Sequence, residues 1–345
     1  MKVIRYLGVA AVAIAAAISP AQAQTTTLRF NQSLPANHWV NTEIIKPWIA
    51  DIEQASQGKV KVTLTGASLG GWGQSMDLAS SGVVDITIGT YGVLEGRFPL
   101  ARVTEVPFLG ADSPLPISLA YWKVHQEHLS KAQEHEKAGV HLLGAWTSGA
   151  NHIFTSDKEV AKPADLKGLK FFVPSPVVEK MLTAVGAVGV VAGSEQLYEL
   201  VSRKVVDGAF LANTGPSSFK LEEFVGHQLQ IPGSAFYSGF YIVMNQDKWK
   251  SLTEEQRQAI ASVSGEALVR RAAEAFERQD VAAFAARQKA GRAKITTAQG
   301  ELLEEFKRRW VFVEQDWIKS AREQNVDGQA ALARLREIAS SAPMR

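Results

Sequence analysis

The sequence predicts an α/β protein made of two similarly built lobes, each centred on its own β-sheet. Candidate strands and helices alternate along the chain, which is the pattern of βαβ units. A short motif follows an amphipathic helix in both halves, as Val83-Val84-Asp85 and again as Val205-Val206-Asp207. A chain of 345 residues that is 46% hydrophobic is also long and apolar enough for two cores.

The first half supplies the elements of one parallel sheet. Strands are predicted over residues 27–31, 59–65, 83–89 and 140–146, and helices over 43–55, 75–80 and 113–137. The helix over 43–55 carries apolar residues at helical spacing, and the strand over 59–65 alternates polar and apolar residues. A glycine-rich loop around Trp72 separates that strand from the next helix.

The second half repeats the pattern loosely and ends in helices. Strands are predicted over residues 169–173, 205–210 and 238–245, and helices over 177–185, 195–202, 301–320 and 328–341. Ser251-Leu252-Thr253-Glu254 has the form of a capping box, and helical periodicity then continues to about residue 289. One helix of that length would extend ~50 Å, enough to span both lobes.

The N-terminus has the features of a secretory signal. Lys2 and Arg5 precede an apolar run, and Ala21-Gln22-Ala23 provides a cleavage site, so residues 1–23 are predicted to be removed. The remaining chain would carry 35 basic and 35 acidic residues, a balance that gives no general attraction to nucleic acid. With no cysteine, the protein has no disulfide or thiol chemistry.

Two motifs raise the alternatives of catalysis and metal binding. Residues 66–70 match G-x-S-x-G after a strand, but the glycines that follow disfavour the helix that a nucleophilic serine requires. His125, His128 and His135 lie in a polar helical stretch without an H-E-x-x-H motif, so a solvated helix face is predicted there. The sequence thus predicts neither an enzyme nor a metal site.

Several segments together resemble the DctP-type extracytoplasmic solute receptors of tripartite ATP-independent periplasmic (TRAP) transporters. The resemblance covers nearly the whole chain after the signal, and the order and spacing of its segments carry it. They are residues 56–62, 82–85, 163–170, 173–174, 186–187, 205–208, 244–245 and 249–252, together with Tyr198.

The resemblance implies a periplasmic-binding-protein-like (Venus flytrap) fold with hinge strands and a long helix across both lobes. Lobe I would comprise residues 24–149 and about 240–280, and lobe II residues 150–239 and about 281–345. A ligand, usually a small organic acid, would be captured in the periplasm by lobe closure and passed to a small and a large membrane subunit, without a cofactor. A ligand-sensing co-receptor for a membrane sensor would use the same cleft and stays an alternative.

The departures from the family pattern point to the character of the ligand. Phe172 occupies the position where most members carry an arginine for the ligand carboxylate, and His152 stands at a second common arginine position. Leu211 and Gln196 replace a usual polar residue and a usual glutamate. Because a bidentate arginine–carboxylate pair is strong and selective, its loss predicts a cleft suited to an acid with an apolar or aromatic body.

Ten residues are predicted to contact the ligand, mostly where strands end or on the hinge strands. For Phe172, Trp39 and Trp72 the alternative is core packing, and for His152 it is a loop histidine with its hydrogen bonds satisfied. Phe240 is a further aromatic candidate. The ten are Trp39, Trp72, Thr90, Tyr91, Trp146, His152, Phe172, Phe210, Asn213 and Tyr237.

Overall fold

The computed structural model describes residues 25–32, 34–94 and 96–341. The predicted signal segment, residues 1–23, lies outside this part of the chain. Within the described residues, no helix combines the length and the apolar character that crossing a bilayer requires.

The first sheet has the strand order β2-β1-β3-β10-β4. Strand β1 runs parallel to both β2 and β3, whereas β10 runs antiparallel to both β3 and β4. Its strands are β1 (Thr26–Asn31), β2 (Val60–Leu64), β3 (Ile86–Thr90), β4 (Val140–Thr147) and β10 (Gly239–Asn245). All five correspond to strands predicted from the sequence.

The second sheet has the order β11-β9-β5-β8-β6-β7. Its strands are β5 (Asn151–Thr155), β6 (Lys170–Val173), β7 (Val188–Val191), β8 (Gly208–Ala212), β9 (His227–Gln230) and β11 (Lys294–Thr297). The sequence predicted only β6 and β8. The strands β7, β9 and β11 have four residues each, too short to show a clear periodicity.

The repeated Val-Val-Asp motif has the same role in both sheets. Asp85 accepts a hydrogen bond from Arg29 N at 2.7 Å, and Asp207 accepts one from Lys170 N at 2.8 Å. In both copies the first valine is exposed, the second is buried, and the aspartate accepts a hydrogen bond from a backbone N–H of the neighbouring strand. The recurrence is therefore structural, and it supports the prediction of two similarly built lobes.

Twelve α-helices surround the two sheets in the described part of the chain. They are α1 (Lys46–Ala55), α2 (Ser75–Ser80), α3 (Pro114–Val124), α4 (Glu134–Lys137), α5 (Pro176–Ala184), α6 (Leu197–Ser202), α7 (Gly215–Ser218), α8 (Gln246–Ser251), α9 (Glu254–Ser262), α10 (Glu266–Ala290), α11 (Gly300–Glu323) and α12 (Gly328–Ser341).

The predicted uninterrupted helix over residues 251–289 is wrong in two details. Its capping box is formed by Thr253 with Gln256, because Ser251 closes the preceding short helix α8. Gly265 then separates α9 from α10 with a φ of +57°, which a residue within an α-helix cannot have. Its N–H donates to Leu143 O at 2.7 Å, so the break attaches the start of α10 to the first sheet.

The predicted helix over residues 113–137 is also interrupted, by the left-handed conformation of Gln133. The expected solvated histidine face is wrong for two of its members. His135 is buried and its Nε2 lies 2.8 Å from the Tyr91 hydroxyl. The ring of His125 stacks on Trp122, and burial lowers the pKa of His125 to about 4. Among the described residues, no group of three or more potential ligands is arranged for a metal ion.

Two segments cross side by side between the sheets, residues 148–150 and 231–238. Ser148 N donates to Ser238 O at 2.9 Å, and Asn151 N donates to Phe236 O at 3.1 Å. We propose lobe boundaries at these crossings, near residues 149/150 and 239/240. The last helix, α12, packs on α3, and Arg334 pairs with Glu127 at 3.2 Å, so we propose that it belongs with lobe I.

Candidate ligand-binding site

A cavity of about 870 Å³ lies between the two sheets. Its walls come from the segments that follow β1, β2, β3, β6, β7 and β8 at their carboxyl ends, and from the two crossing segments. Both sheets therefore direct the same strand ends toward one space. In α/β proteins, the carboxyl ends of parallel strands are where ligands bind.

The wall from the first sheet is aromatic. Phe240 lies directly opposite Thr90 across the β3–β10 pair, and both side chains border the cavity. Trp72 contacts Phe240 edge-on with ring centres 6.0 Å apart, while Trp39 contacts Phe276 edge-on at 4.7 Å. These rings are preorganised by one another, which lowers the entropic cost of binding a flat apolar ligand.

The wall from the second sheet is also apolar. Phe172, at 2% exposure, packs against the small hydrophobic cluster of this sheet and also lines the cavity. Phe171, the next residue, points to the opposite face and meets Phe210 edge-on with centres 5.9 Å apart. Phe172 therefore has both roles that the sequence left open: it is a packed core ring and a boundary of the cavity.

Polar groups are concentrated on the crossing segments. The Ser148 hydroxyl accepts from Ser238 N at 3.1 Å and donates to Gly149 O at 2.8 Å. The Asn151 amide donates to Phe236 O at 3.1 Å. These residues border the cavity and hold the two crossings together, so a ligand in the cavity would touch the region that joins the two sheets.

The charged lining is sparse. Among the described lining residues, Lys220 is the only lysine or arginine, and its ammonium group has no hydrogen-bond or ion-pair partner there. Glu195 and Glu223 lie exposed on the same wall, whereas Glu105 is only 5% exposed and accepts a 2.7 Å bond from Arg102 Nε. Burial lowers the pKa of His38, so this lining histidine is neutral at pH 7.

Five of the ten predicted site residues line the cavity, and five do not. Those on its wall are Trp39, Trp72, Thr90, Phe172 and Phe210, together with the further aromatic candidate Phe240. Those away from it are Tyr91, Trp146, His152, Asn213 and Tyr237.

Three of the residues away from the cavity are aromatic and lie within the core. Tyr91 points away from Thr90 into the first lobe, where its ring packs 4.9 Å from that of Tyr241. Trp146 stacks behind Phe240 with ring centres 6.1 Å apart, and its Nε1 has no partner among the described residues. Tyr237 donates its hydroxyl to Ala111 O, while its neighbours Phe236 and Ser238 face the cavity.

Asn213 belongs to a buried polar network beneath the second wall. Its amide donates to Asp280 Oδ2 at 3.0 Å, and its Oδ1 accepts from Gln228 Nε2 at 2.6 Å. Arg287 completes the network by donating to Asn213 O, Gln228 Oε1 and Glu222. Asp280 and Arg287 are both on α10, so the network attaches the long helix to the second lobe.

His152 is next to this network and is held neutral. Its Nδ1 accepts from Ile231 N at 3.1 Å, and burial, with a smaller contribution from the Arg287 charge, lowers the pKa of His152 to about 3. A neutral histidine with one nitrogen occupied by a backbone N–H offers no positive charge to a ligand carboxylate.

The pKa of His152 predicts an acid-dependent loss of stability. The unfolded value is near 6.5, so the neutral form stabilises the fold fully above that pH. As pH falls from 6.5 toward 3, the free energy of unfolding should decrease by about 1.4 kcal/mol per pH unit from this residue alone. The change His152→Asn keeps an acceptor for Ile231 N and removes the titration.

Urea unfolding of both proteins between pH 7.5 and 5 measures this effect. We expect the variant to be less stable at pH 7.5 and the difference to shrink by about 2 kcal/mol at pH 5. Other titrating groups, such as Asp280, whose pKa burial raises to about 6, are common to both chains and largely cancel. Parallel pH profiles would show that His152 does not titrate as inferred.

The sequence did not indicate several lining residues. Phe276 comes from the middle of α10, more than 30 residues from any other lining residue, and only the helix packing brings it there. Phe236, Glu105 and Lys220 follow no motif. Of these residues, only Phe236 lies near a sequence signal, the group of aromatic residues at 236–240.

The G-x-S-x-G match lies in an exposed loop. The Ser68 hydroxyl donates to Gly70 O at 2.5 Å, within the loop itself, and the next helical turn begins only at Trp72. The serine therefore does not occupy the strand-to-helix turn that would activate it as a nucleophile.

Residues 30–319 match the family of bacterial extracellular solute-binding proteins, family 7, known as DctP. A Comamonas testosteroni protein named outer membrane transporter protein TsaT is 29% identical over 323 residues, covering 92% of this chain and 93% of the relative.

Solved structures of TRAP solute-binding proteins share the whole fold. A Bordetella bronchiseptica protein with bound (R)- and (S)-mandelate is 30% identical with a TM-score of 0.86, over 91% of this chain and 98% of that one. A marine metagenome protein specific for aromatic acids, with 3-hydroxybenzoate, is 29% identical with a TM-score of 0.83, over 93% and 100%. A Rhodoferax ferrireducens protein with copurified benzoate is 26% identical with a TM-score of 0.81, over 92% and 98%.

The matched family, the two-sheet fold and the cavity between the sheets agree with the resemblance found in the sequence. The chain belongs to the DctP family of bacterial extracellular solute-binding proteins, the solute receptors of TRAP transporters.

Proposed function

We propose that this protein captures an aromatic carboxylic acid in the periplasm and delivers it to the membrane subunits of a TRAP transporter. The observation that carries the proposal is the ring-lined cavity, bordered by Trp39, Trp72, Phe172, Phe210 and Phe240. An aromatic ring buried between such walls gains apolar contact and edge-to-face interactions. The mandelate, 3-hydroxybenzoate and benzoate bound by related proteins support the same ligand class.

The carboxylate needs a partner other than the arginine usual in the family. We propose that Lys220 supplies the positive charge. The lysine has a left-handed backbone conformation just after α7, and its ammonium group is unpaired among the described residues. Lobe closure would reduce its contact with water and strengthen its attraction for an anion. Hydroxyls and backbone N–H groups of the crossing segments supply the neutral hydrogen bonds.

Binding of this kind is a cycle of closure and release, without chemistry on the ligand. Each lobe contributes one wall, so the ligand contacts both only when the lobes are together. No catalytic serine, histidine or metal arrangement borders the cavity among the described residues. We therefore propose a receptor rather than an enzyme.

Isothermal titration calorimetry with a panel of acids tests the proposal. We expect benzoate, hydroxybenzoates and arylacetates to bind more tightly than succinate or malate, which have no ring to fill the apolar walls. Benzamide and benzyl alcohol test the contribution of the charge. Tight binding of small dicarboxylates with no response to benzoate would overturn the proposal.

Replacing Lys220 with methionine should weaken binding of benzoate by about fivefold, because an exposed ion pair contributes up to about 1 kcal/mol. Binding of benzamide, which has no charge, should change little. The matched control is Lys180→Met, on the exposed face of α5 away from the cavity. Equal losses for benzoate and benzamide would assign Lys220 a structural rather than an electrostatic role.

A further inference from the structure

The cavity contains a buried carboxylate with only one of its oxygens occupied. Glu105 Oε2 accepts from Arg102 Nε at 2.7 Å, but Oε1 has no hydrogen-bond donor among the described residues. The side chain is 6% exposed, and the residue borders the cavity. A ligand that fills the cavity would take this oxygen out of water, which costs free energy unless the ligand offers it a hydrogen-bond donor.

The position of Oε1 is defined by its neighbour Gly92. A methyl group placed on Gly92 would lie 3.4 Å from Glu105 Oε1 and 3.4 Å from the carbonyl oxygen of Pro174. Gly92 and Pro174 both line the cavity, one after β3 and the other after β6. The free oxygen is therefore next to the junction between the two walls, where a ligand would contact both lobes.

From this geometry we infer that the preferred ligand carries a hydrogen-bond donor on its ring, a hydroxyl or amino group, which donates to Glu105 Oε1. A carboxylate can only accept hydrogen bonds, so it binds a ligand with a donor more tightly and repels a second carboxylate. The ligand's own carboxylate must then point away from Glu105. The inference rests on the proposed function and narrows it from aromatic acids in general to donor-substituted ones.

The inferred hydrogen bond to Glu105 distinguishes benzoates that carry a donor on the ring from those that do not. A 3- or 4-hydroxybenzoate offers a donor at the far side of the ring from its carboxylate, and an aminobenzoate offers the same. The corresponding methoxybenzoate has nearly the same shape but no donor, and benzoate has no substituent. Hydrogen bonds to charged groups are stronger than those between neutral groups. We therefore expect the tighter-binding of the two hydroxybenzoates to bind at least about tenfold more tightly than benzoate and than its own methyl ether, the methoxybenzoate.

Two variants test whether Glu105 is the cause. In Glu105→Gln, the amide oxygen can remain with Arg102 Nε, which turns the NH₂ group toward the cavity. The hydroxyl preference should fall below about threefold. In Gly92→Ala, the glutamate and its arginine pair stay intact, but the added methyl covers Oε1. The preference for the hydroxyl, measured as the ratio of hydroxybenzoate to benzoate affinity within this variant, should fall in the same way.

Calorimetry with benzoate, the two hydroxybenzoates and their methyl ethers measures the preference for the hydroxyl in each protein. Thermal melting checks that each variant is folded. Glu53→Gln, on an exposed turn of α1, is the control for net charge and should keep the full preference. If benzoate binds as tightly as both hydroxybenzoates, or a folded Glu105→Gln protein keeps the preference, the inference is wrong. If no aromatic acid binds at all, the proposed function itself fails.

Discussion

Replacing Phe172 with arginine is expected to shift binding from aromatic acids toward small, highly charged ones. The ring lines the cavity at 2% exposure, so its loss removes apolar contact with an aromatic ligand. We expect benzoate affinity to fall at least about tenfold, given ~1.5–3 kcal/mol for a fully buried ring. The new guanidinium can extend its charged end into the cavity and bind a carboxylate in bidentate fashion, so succinate or malate should gain about tenfold.

Calorimetry of both ligand classes with Phe172→Arg and with Phe172→Leu separates the two effects. The leucine variant loses the ring but adds no charge, so it should weaken benzoate binding without improving that of any small acid. Because Phe172 also belongs to the buried cluster that contains Phe154 and Leu197, thermal melting must show that both variants remain folded. Unchanged affinities for every acid would show that position 172 does not contact the ligand.

Of the substitutions proposed for this protein, Arg287→Leu is expected to lower the free energy of unfolding most. The guanidinium is 3% exposed, lies over the Phe154 ring at 5.0 Å, and donates to Gln228, Glu222 and Asn213 O. Its removal leaves buried acceptors without donors and takes a positive charge away from Asp280. We expect the free energy of unfolding in urea to fall by about 2–4 kcal/mol, the lower end reflecting the partial exposure of Glu222.

Arg270→Leu is the matched control on the same helix. Among the residues that the structure describes, Arg270 pairs with Glu266 alone, one turn away, and its side chain is 48% exposed. Such surface pairs contribute little, so this variant should change the unfolding free energy by less than about 0.5 kcal/mol. Equal unfolding free energies of Arg287→Leu and Arg270→Leu would show that the buried network does not stabilise the attachment of α10 to the second lobe.

The strands of the first sheet and most helices could be predicted from periodicity, because they are long enough to display it. The four-residue strands β7, β9 and β11 could not, since their pairing partners rather than their own sequences define them. Gly265 shows a similar limit. It is the only glycine of residues 251–290, yet only its positive φ and its bond to Leu143 O show that the helix is interrupted there.

In the candidate site, the sequence likewise predicts the segments involved but not which residue of each segment lines the cavity. The sequence indicated the segments that border the cavity, but several of the predicted residues point away from it while a neighbour lines it. Of the pair Thr90 and Tyr91, both were predicted. Asn151 lines the cavity and His152 does not, Thr90 lines it and Tyr91 does not, and Phe236 lines it while Tyr237 points away. Successive side chains in extended backbone point to opposite sides, so a choice off by one residue reverses the side chain's direction.

By itself, the sequence determined the two-lobed α/β class and the family, and the resemblance led to the expectation that Phe172 replaces the usual arginine. These depend on composition, order and spacing, which are properties of the chain alone. Only the tertiary structure decided which member of each neighbouring pair borders the cavity, that Phe276 of the distant helix α10 contributes to the cavity wall, and that Glu105 has one oxygen without a donor among the described residues. Those outcomes depend on how sheets and helices face one another across the cavity, and contacts between residues far apart in sequence set that arrangement.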